Sequence, residues 1–100
     1  MIILHRITKE VIFESEHKTL RETVECAVRQ KVSLRRANLW EADLWEADLQ
    51  EVNLQEANLQ GANLQRANLW GTVLCDANLH DAQITYRGRT VKVKFEEAGK

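Results

Sequence analysis

The sequence contains no proline, four glycines and two cysteines in 100 residues. Without proline there is no Pro-rich linker. Cys26 and Cys75 stand forty-nine residues apart, which is no disulfide framework, and this usage predicts a reducing, cytoplasmic setting. The longest unbroken apolar run is Met1-Ile2-Ile3-Leu4. It is far below the ~20 residues of a membrane span, so no membrane association is expected. Neither sign of charge dominates: fourteen Lys and Arg meet fifteen Asp and Glu, a net charge of −1. That balance excludes whole-chain basicity, and direct nucleic-acid binding is not expected. There is no Gly-rich phosphate loop, nucleophile elbow or HExxH pair, which predicts a protein that is not an enzyme and needs no cofactor. A chain of this length has room for one domain, residues 1–100.

What the sequence does have is a repeat. Residues 32–86 divide into eleven consecutive five-residue units with no insertion. The central position is Leu in ten units, from Leu34 to Leu79, and Ile84 in the last. Two residues earlier stands Ala in eight units, and the residue just before the centre is mostly Asn or Asp. A step of five rotates about 500° on an α-helix and scatters the leucines over every face. On a flat strand an odd step sends alternate leucines to opposite faces. A chain that turns through about a right angle per unit brings every centre to one axis, and four units close a coil of twenty residues. The small column carries that super-period: its only non-Ala members, Val32, Val52 and Thr72, are twenty apart. Ala37, Ala57 and Ala77 form the next column, so volume is matched along each stack, as close packing requires.

Units such as Ala37-Asn38-Leu39-Trp40-Glu41 and Ala42-Asp43-Leu44-Trp45-Glu46 resemble the A(D/N)LXX units of pentapeptide-repeat proteins. The resemblance implies an all-β fold, a right-handed quadrilateral parallel β-helix of about 2.75 coils, with the central residue and the one two before it pointing inward. Ser33, Val73 and Gln83 depart from the Asn/Asp position.

So short a stack exposes leucine at both ends and needs caps. Residues 1–31 supply one. Ile2–Ile7 and Val11–Phe13 are rich in apolar and β-branched residues and predict a hairpin through Thr8-Lys9-Glu10. Thr19 and Glu22 match a capping box, with Leu20, Val24, Ala27 and Val28 at helical spacing behind it, predicting a helix over 19–30. Residues 87–100 follow as a C-terminal segment: Val91, Val93 and Phe95 alternate, predicting a second hairpin or terminal strand with a charged tail after Glu96. Net charge is +1 over residues 1–31, −5 over 32–86 and +3 over 87–100.

Two outward sets are the candidate interaction surface. Glu41, Glu46, Glu51 and Glu56 end four successive units, one per face of a coil, with Asp43 and Asp48 beside them. Trp40, Trp45 and Trp70 each follow a central Leu, and exposed aromatics mark binding hot spots unless the caps cover them. Cys75, Asp76, His80 and Asp81 have ligand chemistry for zinc, yet they sit at outward corners and lack a completing pair, so no metal is expected. His5 and His17 show no partners in the sequence, and Cys26 is read as packing.

The reading is a non-catalytic interaction or scaffold module, with an unknown protein partner. Its ragged C-terminal end predicts a homodimer through that end. The alternative comes from the resemblance: some family members imitate DNA in shape and charge and bind gyrase. Fewer than three coils and the interruption of the acidic series by Arg66 weigh against it.

Overall fold

The computed structural model describes residues 1–86 and 89–92. The N-terminal segment forms β1 (Ile2–Leu4), β2 (Val11–Glu14) and α1 (Leu20–Arg29). Strands β1 and β2 pair antiparallel as expected, with a register shift between Ile3 and Leu4, but β1 stops at Leu4 rather than Ile7, where His5 bridges Ala37 of the repeat instead. From there the chain turns toward the repeat. Leu4 accepts from the amide of Asn38 and Arg6 donates to the carbonyl of Arg36. His5 is not idle: its Nδ1 accepts from the amides of Ile7 and Thr8, which fixes the turn.

Helix α1 begins where its cap predicts, with Thr19 accepting from the amide of Glu22 at 3.1 Å. Glu22 pairs with His17 at 3.3 Å. Val24 and Ala27 are fully buried on the coil, and so is Thr23. The Thr23 hydroxyl is satisfied by the Thr19 carbonyl and the Ser15 hydroxyl, which lets a polar side chain join the core.

The repeat coils with a period of twenty. Parallel bridges join Asn38 to Asn58, Asp43 to Asn63, Asp48 to Asn68, Asn53 to Val73 and Asn58 to Asn78. Four stacks result: units beginning at 32, 52 and 72; at 37, 57 and 77; at 42, 62 and 82; and at 47 and 67. Leucines 34, 44, 49, 54 and 59 are fully buried, and Leu39 and Leu64 nearly so, with Ala37, Ala47, Ala57 and Ala62 between them.

Two local devices make each turn. The Asn or Asp before the centre accepts, through Oδ1, from the amide two residues on, as in Asn38 to Trp40 and Asn58 to Gln60. Ser33 substitutes its hydroxyl for this bond. The last residue of each unit from 36 to 81 takes a positive φ of 50° to 70°. Only Gly61 and Gly71 hold that left-handed position without a side chain. A Cβ on Gly61 would lie 3.0 Å from Cγ of Glu41, and one on Gly71 would lie 2.9 Å from Cγ of Glu51. Eight other units hold the same φ with a side chain, so what glycine adds beneath those two glutamates is room for their side chains and relief of the left-handed strain.

Strand β3 (Asn63–Leu64) pairs in parallel with β4 (Gln83–Tyr86), and β4 turns back antiparallel onto β5 (Arg89–Lys92). The expected second hairpin is therefore present, with Val91 opposite Ile84. Val93, Phe95 and the tail after Glu96 lie outside the described residues. Among the described residues no helix is long and apolar enough to cross a membrane.

Candidate interaction surfaces

The three tryptophans are exposed, at 57% for Trp40, 42% for Trp45 and 67% for Trp70. They stand on three different stacks, so the structure does not gather them into one patch. Each backbone amide is held by the Asn or Asp two residues earlier. Arg66 lies over the Trp45 ring at 6.0 Å and approaches Glu46 at 3.7 Å. Two open niches flank these rings. One, of about 410 Å³, lies between Trp45, Asp43 and the start of α1. The other, of about 330 Å³, is bounded by Trp40, Glu41, Gln60, Gly61, Asp81 and Gln83.

The four glutamates also stand one per stack and have different surroundings. Glu56 pairs with Arg36 at 2.9 Å and Arg35 at 3.3 Å. Hydrogen bonds from Arg36 first, then Arg35, hold its carboxyl below the ordinary value of 4.5. Glu46 pairs with Arg66, whereas Glu41 and Glu51 extend over Gly61 and Gly71. Two of the four charges thus have arginine counterparts within the coil.

The Glu56 pairing has a signed consequence for pH. A carboxyl whose folded pKa is depressed stabilises the fold above its unfolded value of 4.5, and that contribution is lost as pH falls through the folded value. Glu56→Gln is expected to lose less melting temperature than the parent between pH 5 and pH 3. Paired thermal melts check this; equal losses would show that the pairing contributes nothing.

Cys75, Asp76, His80 and Asp81 fall into two pairs on neighbouring stacks. Cys75 Sγ is 3.7 Å from Asp76 Oδ2, and His80 Nε2 is 3.4 Å from Asp81. Among the described residues no group of three or more such side chains is placed to hold a metal ion.

The C-terminal end of the coil is the surface that differs most from the rest. Leu69, Leu74 and Leu79 are only partly buried, unlike the leucines above them. Val73, which replaces the Asn/Asp of other units, is 43% exposed and lies between Trp70 and exposed Cys75 in the chain. The departure at Val73 therefore adds apolar surface beside these partly buried leucines.

The model of pentapeptide repeats matches residues 30–66 and 53–85, with eight copies. The chain belongs to the pentapeptide-repeat family. Membership and the twenty-residue ladder agree on a β-helix-like repeat architecture. No curated protein and no solved structure matches this pentapeptide-repeat chain.

Proposed function

We propose that this pentapeptide-repeat protein is a single-domain, non-catalytic interaction module of the cytoplasm, and that it self-associates through its C-terminal end. In this reading the coil is a right-handed quadrilateral β-helix, closed at one end by residues 1–31 and open at the other. The observation that carries it is the contrast between the two ends. Leu34 and Leu39 are buried in one core cluster with Ile3, Val24 and Ala27 of the N-terminal segment, while Leu69, Leu74 and Leu79 remain partly exposed beside Trp70 and Val73. A two-fold contact covers both open ends at once, and exposed apolar area beside a ragged end favours one. The Glu46–Arg66 and Glu56–Arg36 pairs favour this over a DNA-like anionic surface that binds gyrase, because they pair two of the four glutamates with arginine.

Trp70 gives a direct readout. In a Trp40→Phe/Trp45→Phe variant its emission is expected to shift to the blue as protein rises from nanomolar to high micromolar concentration. Emission independent of concentration would contradict the contact. Inhibition of gyrase supercoiling at micromolar protein would instead support the DNA-mimic reading.

A further inference from the structure

The backbone ladder has a direction. At each junction between coils the earlier coil donates two amides per unit, from the central residue and the one two after it. Leu39 donates to Asn58 and Glu41 to Gln60; Leu44 donates to Asn63 and Glu46 to Gln65. It accepts one bond in return, as Ala37 does from Asn58 and Ala42 from Asn63. The C-terminal edge of any coil therefore offers two donors for each acceptor, and the N-terminal edge offers the reverse.

At the C-terminal end, outside the stack that β5 covers, much of this edge is unpaired among the described residues. The amides of Leu69, Gly71, Leu74, Asp76 and Leu79, and the carbonyls of Ala67, Thr72 and Ala77, have no hydrogen-bond partner among the described residues. At the other end the cap engages the first coil with matching polarity. The Arg21 guanidinium donates to the carbonyl of Trp45 at 3.0 Å, and the Glu25 carboxylate accepts from the amide of Asp48 at 2.8 Å. Arg21 and Glu25 also pair with each other at 3.7 Å. Asn38 and Arg36 are engaged by Leu4 and Arg6.

We propose that the N-terminal cap is a stop against head-to-tail assembly: the coil edge beneath it is the complement of the open C-terminal edge of a second copy. Both edges repeat every five residues, so acceptors of one copy fall opposite donors of the other, and covered leucines fall opposite partly exposed ones. Strand β5 already stands on the stack ending at 82–86, and the stacks ending at 67–71 and 72–76 offer the docking edge. A head-to-tail contact does not close on itself and produces a filament. A two-fold contact instead sets donor-rich edge against donor-rich edge, so it rests on leucines and Trp70, and the ladder contact displaces it once the first coil is bare. The stop shares the open edge with the proposed dimer but is tested separately, because wild-type mass reads the dimer and variant polymers read the stop.

The test uses full-length Val24→Asp, which places a charge on the buried face of α1, and the milder Arg21→Ala/Val24→Ala/Glu25→Ala. Sedimentation velocity and electron microscopy are expected to show filaments at least about tenfold heavier than wild type. Wild-type chains, with an open C-terminal edge and a covered N-terminal one, should terminate growth and shorten the filaments when added at a tenth of the variant concentration. Leu74→Arg in the same background should abolish them. If Val24→Asp melts without cooperativity, the triple variant is read by the same criteria. A cooperatively folded variant of unchanged mass overturns the proposal, as do aggregates whose length ignores both wild type and Leu74→Arg.

Discussion

Leu59→Ala is expected to lower the unfolding free energy by about 2–5 kcal/mol, the range for truncating a leucine in a core that cannot collapse around the void. Leu59 is fully buried in the middle coil, with Leu39 twenty residues before it and Leu79 twenty after. Ladder bonds fix its backbone on both sides: Leu59 donates to Asn78, while Asn58 accepts from Leu39. Relaxation that would fill the cavity must therefore move two coils together. Leu79→Ala removes the same atoms from a partly exposed site, and the cost there should be clearly smaller. Urea melts of both variants, with Gln60→Ala as an outward control, measure this gradient. A Leu59→Ala cost no larger than that of Gln60→Ala would show that the central column does not form the core.

The reverse change probes the small column. Ala57 is fully buried, stacked between Ala37 and Ala77, and its unit is held by bonds to the coils before and after it. Ala57→Leu adds three carbons where neighbouring leucines already fill the axis, and is expected to cost about 1–3 kcal/mol through overpacking. Ala77→Leu should be nearly neutral, because Ala77 lies in the last coil and is only partly buried. A denaturant series on the pair separates steric strain from propensity, since both substitutions have the same helix and strand preferences. Equal costs at the two sites would mean that the end of the coil is as closed as its middle.

The core was legible because it depends on period alone. Leu34 to Leu64, the alanine column and the Val32/Val52/Thr72 stack follow from a step of five and a super-period of twenty, whatever the partners are. The Thr19 cap and the buried faces of Val24 and Ala27 were legible for the same kind of reason, a local spacing. Thr23 was not, since its burial depends on the Ser15 hydroxyl meeting it across the cap. The turn bond of the Asn/Asp column had a visible signal: a short acceptor before every centre, at the offset that reaches the second amide ahead. The glycines had one too, because Gly61 and Gly71 stand twenty residues after Glu41 and Glu51. Arg21 and Glu25 had none, because their role depends on where α1 lands against Trp45 and Asp48. The same twenty-residue spacing sets Arg66 opposite Glu46 and Arg36 opposite Glu56 and puts Trp40, Trp45 and Trp70 on three stacks, a signal present in the sequence but not drawn from it.

The C-terminal contact is tested most directly by sedimentation equilibrium across a concentration series, run on the wild-type chain and on Leu74→Asp. The chain mass is 11.6 kDa. The wild type is expected to approach twice that mass at high micromolar protein, and Leu74→Asp to remain at the single-chain mass while melting cooperatively. A wild type that stays at 11.6 kDa at the highest concentration would contradict the account, as would a dimer that Leu74→Asp leaves intact.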